Sequence, residues 1–364
     1  MDSLGFDVDP DITRAATPPG RFYCDPVVFD RARERVFAPS WQLALDAGEL
    51  GDDGCARPIV LLEGMLDAPL VVTRDERGRV HGLSNACTHR GNLVVEAPCR
   101  RKSLVCGYHG RRFDLDGSFR SMPGFDGARG FPGPADDLPK VSIATWGRLM
   151  FASIRPARSF DEWIADVQKR MGWFPIGELE LEAARSRDYS VAANWALYCD
   201  NYLEGFHIPF VHAALNASID VDAYATELFA RSSLQMALAK EGEEAFELPS
   251  SSPDHGLRVA GYYWFLFPNL MLNFYPWGLS VNVVRPRSVD RTTVSFLTYV
   301  WKQDKLDRGA GAGLDRVEHE DEAVVESVQR GVRSRLYTRG RYSPDRERGV
   351  HHFHRLLAER LRRA

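Results

Sequence analysis

The chain has 364 residues and a formal net charge of −4, with 44% hydrophobic, 26% charged and 11% aromatic residues. That length can bury two cores, and an acidic balance with no polybasic face before the arginine-rich C-terminus argues against a nucleic-acid binder. Met1 to Ile12 are acidic and lack an apolar core, so no signal peptide is expected; six cysteines without a disulfide framework (Cys24, Cys55, Cys87, Cys99, Cys106, Cys199) make a reducing, cytoplasmic location the default.

The polar, proline-rich N-terminal segment is expected to wrap a surface. Pro26 to Phe37 then carries apolar residues at helical spacing (Val28, Phe29, Ala32, Val36, Phe37) and stops before Pro39. From Trp41 to Ser153 the pattern changes to short β runs, Ile59 to Leu62, Leu70 to Thr73, Val80 to Leu83, Leu104 to Cys106 and Leu149 to Ala152, punctuated by Gly, Asp and Pro as in a small antiparallel β domain. Two stretches inside it carry chemistry: Cys87-x-His89 and Cys106-x-x-His109, separated by sixteen residues. A structural zinc site also takes two Cys and two His, but usually pairs like with like. Here each loop supplies one thiolate and one imidazole, the donor set of a Rieske [2Fe–2S] centre, in which two thiolates hold one iron and two histidines the other. Gly91 and Gly110 follow the two histidines, where the backbone must turn closely around a cluster.

Ser118 to Pro139 is too rich in Gly and Pro for regular structure. Ser159 to Trp173 reads as an amphipathic helix, with Ser159 and Glu162 forming a capping box, and opens a second domain of long strands and long helices. In Asn194 to His212, His207 and His212 lie five apart with Glu204 one turn earlier, and Pro209 is expected to break the helix. Two such histidines and a carboxylate from elsewhere would make a 2-His-1-carboxylate site for Fe(II), with positions left open. Gly261 to Leu279 is the most apolar stretch. Pro268, Asn269, Asn273 and Pro276 interrupt it, favouring two adjoining strands of a buried sheet over a membrane span. Gly309 to Gly313 reads as a flexible loop before a helix. Glu318 to Leu336 has helical apolar spacing at Val324, Val325, Val328, Val332 and Leu336, behind an acidic start of Glu318, His319, Glu320, Asp321 and Glu322; pattern alone does not choose a third ligand among them. His351, His352 and His354 read as packing or helix-start groups preceding an amphipathic C-terminal helix. No dinucleotide fingerprint and no further cysteine quartet is present to supply electrons from within the chain.

Together, CTHRG at Cys87 to Gly91, YHG at Tyr108 to Gly110, NYLEGFHIPFVH at Asn201 to His212, FPNLMLN at Phe267 to Asn273, VQRG at Val328 to Gly331, GRY at Gly340 to Tyr342 and HHFH at His351 to His354 resemble the alpha (terminal oxygenase) subunits of Rieske non-haem iron oxygenases. Within that family the likeness is to the choline monooxygenase-like and aromatic ring-hydroxylating group. Respiratory-chain Rieske proteins have an extra cysteine in each loop; here those positions are Asn92 and Tyr108. The resemblance implies an α+β fold: an antiparallel β Rieske domain over residues 41–155 and, over 156–364, a helix-grip catalytic domain with an antiparallel sheet surrounded by helices, on which residues 1–40 pack. It implies a mononuclear Fe(II) at His207, His212 and Asp321, the last chosen because the family's aspartate lies five residues before the Glu of a Glu-x-x-Gln segment, here Glu326 to Gln329. Glu320 and Glu322 are the alternatives. It implies a homotrimer in which an acid, Glu204 or alternatively Asp200, bridges the cluster of one subunit and the iron of its neighbour. Arg111 stands where many relatives have Trp, which bears on the docking surface. The expected activity uses O2 and electrons from an NAD(P)H-dependent reductase, with or without a ferredoxin, to hydroxylate or dealkylate a small organic substrate. An amine or quaternary ammonium compound is favoured, with an aromatic acid as the alternative and an electron carrier as the non-enzyme reading. Tyr262, Tyr263, Trp264, Phe265, Phe267, Phe274, Tyr275 and Trp277 could face such a cation, although strand alternation sends only about half of them inward.

Overall fold

Short β-branched runs between turn residues fold the stretch 38–157 into an all-β unit, and the rest of the chain forms a second unit around one large sheet. The computed structural model describes residues 6–362. The smaller unit contains β1 (Gln42–Asp46), β2 (Cys55–Leu61), β3 (Ala68–Arg74), β4 (Val80–Ser84), β5 (Cys99–Arg100), β6 (Leu104–Val105), β7 (Arg112–Phe113), β8 (Phe119–Ser121), β9 (Lys140–Trp146) and β10 (Leu149–Ser153). Seven of them form one sheet in the order β1-β10-β9-β4-β3-β2-β5, and β6-β7-β8 form a small second sheet. The expected runs are all strands. β1, β5, β7, β8 and β9 were not foreseen, and β8 lies within the Gly- and Pro-rich stretch read as irregular; β9 is half-buried along most of its length, so it lacks the in–out alternation that marks a strand in sequence. Cys87 and Cys106 belong to the core of this unit, packed with Val71, Leu83, Leu104 and Phe113.

In the larger unit, Asp25 caps α1 (Pro26–Ala32) through a bond from the Val27 N–H, and the foreseen Ser159–Glu162 capping box starts α2 (Phe160–Met171). The sheet contains β11 (Glu180–Leu181), β12 (Arg187–Val191), β13 (Ile219–Leu228), β14 (Ser232–Ala239), β15 (Val259–Leu266), β16 (Leu270–Tyr275), β17 (Gly278–Ser288) and β18 (Arg291–Val300). Its order is β11-β18-β17-β16-β15-β14-β13, with β12 also on β18, and every pairing is antiparallel. The apolar stretch from Gly261 thus holds two adjoining strands and the first residues of a third. Among the described residues no helix is long and apolar enough to cross a membrane.

Helices α3 (Trp195–Tyr202), α6 (Leu314–Val332) and α7 (Arg348–Arg362) complete the unit, with two short turns, α4 (Ile208–Val211) and α5 (Ala213–Ser218). Phe353 of α7 contacts both Phe265 of β15 and Trp195 of α3, at ring-centroid distances of 5.4 and 5.8 Å, so α3 and α7 lie against the same side of the sheet. α6 starts four residues before the expected Glu318, and its buried residues are Glu318, Val325, Gln329 and Val332. Val328 and Leu336, expected on the apolar stripe, are exposed.

His351, His352 and His354 lie within α7 rather than ahead of it. His354 joins Tyr342 (2.7 Å), Tyr23 (3.2 Å) and Asp200 (2.9 Å), tying α7 to the N-terminal segment and to α3. Burial pushes the His352 imidazole down to about 4 from its ordinary 6.5. The native state therefore holds this ring neutral where the unfolded chain protonates it, so stability is full above about pH 6.5 and falls as pH drops towards 4. A melting-temperature series on His352→Leu is expected to show a shallower acid slope across that window.

Gly349, in the first turn of α7, permits close contact with the end of α3: a Cβ there would lie 2.3 Å from the Leu203 carbonyl oxygen. Gly349→Ala is expected to cost about 2 kcal/mol through forced overpacking. Thermal unfolding should register this as a fall of about 5 °C in the melting temperature of this unit.

Candidate functional site

The two Cys-His loops repeat one hydrogen-bond pattern. Gly91 donates to the Cys87 carbonyl (2.8 Å) and Gly110 to that of Cys106 (3.1 Å); Cys87 donates to Asn92 O and Cys106 to Arg111 O, each at 2.8 Å. Both glycines adopt positive φ, 71° and 70°, a conformation that L side chains rarely take. The cysteines are buried, and the His89 and His109 rings face one another with centroids 4.7 Å apart at 74°. Burial opposes a thiolate at Cys106, but backbone N–H groups of Tyr108 and His109 and the Asn92 side chain donate to its sulfur and hold the thiol below its ordinary value. Among the described residues, the one group of three or more His, Cys, Asp or Glu ligand atoms within 4.8 Å of one another lies elsewhere, at His207, His212 and Asp321.

Arg111 is not on a docking surface, contrary to the sequence expectation. It is 2% exposed, bonded to Asp136 Oδ1 at 2.5 Å, and its guanidinium lies 4.9, 5.6 and 5.7 Å from the ring centres of Phe119, Phe131 and Phe113. Replacing it with Met removes a desolvated cation from three aromatic faces, an expected loss of about 2 kcal/mol. Thermal bleaching of the cluster's visible absorption should then occur about 8 °C lower.

The second constellation depends on how α3 and α6 are held together. Asn194 caps α3 by accepting from the Ala196 N–H (3.0 Å), while Gln329 of α6 accepts from the Asn194 N–H (2.7 Å) and Glu326 from that of Ala192 (2.9 Å). The Glu-x-x-Gln pair thus pins the start of α3 to the helix that carries Asp321. α3 ends at Tyr202, so Glu204 is in a loop and not on a helical turn. Its Oε2 accepts from the Phe206 and His207 N–H groups, and its Oε1 lies 2.6 Å from His207 Nδ1. Pro209 is the second residue of α4 and starts that turn instead of breaking a helix, since no N–H partner is needed there.

The histidines present Nε2 to Asp321 Oδ1, at 3.6 Å from His207 and 3.0 Å from His212, and turn Nδ1 outward, to Glu204 and to Glu320 (2.8 Å). Carboxylates on the far nitrogens fix ring orientation and tautomer, as around a bound metal. Glu320 is occupied with His212 Nδ1 and Arg316, and Glu322 bonds His319. Neither joins the group formed by His207, His212 and Asp321. Asp200 turns away to Tyr23 (2.8 Å) and His354.

A cavity opens beside these side chains, lined by Glu204, His207, His212 and Asp321 together with Tyr202, Tyr224, Tyr263, Tyr275 and Glu318. The sheet register explains part of it. Gln235, Tyr263, Asn273 and Ser280 are paired in a row across β14 to β17 and all line the cavity, as do Tyr275 and Asn282 two residues further along their strands. Tyr262, Trp264 and Phe274 point to the other face: of the eight aromatics considered from sequence, only Tyr263 and Tyr275 line the cavity. Tyr202 and Tyr224, outside that stretch, were missed. Burial pushes the phenols of Tyr202, Tyr224, Tyr263 and Tyr275 upward, so all four remain neutral. Burial likewise pushes the Glu318 carboxyl up to about 8, against the lowering effect of its bond from Tyr198. Sequence reading placed Glu318 in an acidic first turn facing the helix dipole. Its spacing of seven from Val325 and eleven from Gln329 on the buried face of α6 was the available signal.

Residues 40–132 match the Rieske [2Fe–2S] domain, and residues 178–363 match the ring-hydroxylating alpha subunit catalytic domain. The chain is 30% identical to a chloroplastic choline monooxygenase of Arabidopsis thaliana, over 98% of this chain and 86% of that protein. It is 28% identical to the carnitine monooxygenase oxygenase subunit of Escherichia coli K12, over 95% and 94%. Among solved structures it resembles the quaternary ammonium Rieske monooxygenase CntA (TM-score 0.78, 23% identity, covering 97% of this chain and 96% of that one). It also resembles naphthalene 1,2-dioxygenase from Rhodococcus sp. (TM-score 0.73, 19% identity, covering 94% and 93%). The chain belongs to the alpha subunits of Rieske non-haem iron oxygenases, which carry a Rieske [2Fe–2S] cluster and a mononuclear iron and use O2, with electrons from a reductase, to oxidise a small organic substrate.

Proposed function

We propose that this chain is the oxygenase component of a quaternary ammonium monooxygenase, in which Cys87 and Cys106 hold one iron of the cluster, His89 and His109 the other, and His207, His212 and Asp321 the mononuclear Fe(II). The observation that carries the substrate class is the set of four neutral phenols, Tyr202, Tyr224, Tyr263 and Tyr275, beside the His207–His212–Asp321 group. Tyr263 is near both Tyr275 (5.8 Å, 75°) and Tyr224 (6.3 Å, 23°), so aromatic faces meet at an angle and offer more than one surface to a trimethylammonium head. The relatives named for choline and carnitine monooxygenation agree with this reading. When bound, the iron centres supply electron delivery and O2 activation. The protein's part is to hold the substrate head among the phenols, keep water out and orient His207 through Glu204.

The assignment of the cluster domain to residues 41–155 and of the iron domain to 156–364, with 1–40 packed on the latter, belongs to the same proposal, as does a cytoplasmic location. The active form is proposed to be a homotrimer in which the cluster of one subunit faces Glu204 of the next. Tyr108, beside His109, is 58% exposed; Phe206 and Phe210, flanking His207, are 47% and 80% exposed. Two such exposed aromatic patches, each beside a metal-binding motif, support mutual burial between copies. Mass photometry of the iron-replete protein, and NAD(P)H-coupled O2 uptake with a reductase against ammonium compounds and aromatic acids, test the proposal. Uptake matched to product with an ammonium compound, by a trimer, is expected; productive uptake with aromatic acids alone would favour ring hydroxylation.

A further inference from the structure

We propose that Glu318 is the anionic recognition group of this cavity and selects an ammonium substrate that carries net positive charge and no carboxylate. This rests on the ammonium reading above and narrows it. Glu318 is 1% exposed and lines the cavity. Its Oε2 accepts from the Tyr198 hydroxyl, while its Oε1 is buried with no hydrogen-bond partner. The other two acids lining the cavity are committed: Glu204 to His207, and Asp321 to His207 and His212. A buried carboxylate with an unused oxygen is costly unless something charged or hydrogen-bonding offsets it. In the empty cavity burial favours the protonated carboxyl, and a cation entering beside the unpartnered Oε1 offsets that cost and favours the carboxylate.

The complementary observation concerns what the cavity lacks. Among the described residues that line it there is no lysine and no arginine, while three acids are present. A zwitterionic betaine would bring its carboxylate into that lining with no lysine or arginine side chain to pair with, an uncompensated desolvation. Glu318 and Asp321 stand three apart on α6, so they share a face and their Cβ atoms lie about 5–6 Å apart. The recognised charge is thereby held one turn from the proposed iron ligand.

The test is anaerobic isothermal titration of the iron-replete protein with choline, glycine betaine, carnitine and 3,3-dimethylbutan-1-ol, the neutral carbon isostere of choline. The wild-type protein should bind choline at least about tenfold more tightly than either betaine or the neutral alcohol. Glu318→Gln, which keeps the shape and an acceptor for Tyr198, should lose that preference while its affinity for the neutral alcohol stays within about threefold. Glu318→Asp, which retains the charge, should keep part of the preference. Carboxylated betaines binding as tightly as choline or better would overturn the proposal while leaving the ammonium reading intact. So would an equal loss of choline and of the neutral alcohol in Glu318→Gln, which marks a merely structural side chain. Binding of aromatic acids with no ammonium compound bound at all would remove the ammonium reading and this proposal together.

Discussion

Replacing His207 with alanine is expected to abolish turnover, by at least about a thousandfold, while the visible absorption of the cluster stays unchanged. Outer partners of a metal ligand alone are worth roughly 10–100-fold in metal affinity or activity, and removing the ligand itself exceeds that. His207 presents Nε2 to Asp321 and is held by Glu204, so its loss leaves His212 and Asp321 as a two-donor remnant. Metal analysis should show iron falling from three per chain to two, both in the cluster. Loss of the cluster absorption as well would mean that His207 supports the fold instead.

Glu204→Gln is expected to slow electron delivery from the cluster by roughly 10–100-fold, the range for partners of a metal ligand, with all three irons retained. Glu204 makes three bonds at once: Oε2 accepts from two backbone N–H groups while Oε1 holds His207 Nδ1. An amide has one carbonyl oxygen, so it can serve the backbone or the imidazole but not both. Stopped-flow reoxidation of the reduced cluster in the presence of substrate and O2 reads the rate directly. An unchanged rate would remove Glu204 from the route between subunits.

The cluster motif was legible because its ligands are local: each Cys-His pair lies within one loop, with a glycine marking the turn. His207 and His212 were legible for the same reason. Asp321 was not, since five neighbouring positions in α6 are polar or acidic, and only contacts between helices separate them. Glu320 is occupied by His212 Nδ1, a contact from a distant segment that no pattern in α6 reveals, while Glu322 bonds His319 one turn before it on the same helix. Pro209 does not break a helix because a proline is equally suited to the first turn of one, where its missing N–H needs no partner, and it lies at the start of α4. The cavity was the least legible part. Its phenols come from α3, β13, β15 and β16, and the sheet register that aligns Tyr263 with Asn273 and Ser280 depends on pairing between distant segments. Arg111 was misread as a surface feature because a charged residue is rarely so buried unless, as here, aromatic rings and a carboxylate enclose it.

The central claim is a mononuclear iron at His207, His212 and Asp321 beside an ammonium-binding cavity. Its most direct test is the EPR spectrum of the reduced, anaerobic protein with nitric oxide, recorded with and without quaternary ammonium compounds and aromatic acids. A high-spin iron–nitrosyl signal, reshaped by ammonium compounds and indifferent to aromatic acids, is the result this account predicts. A normal Rieske signal with no nitrosyl signal in iron-replete protein would contradict it.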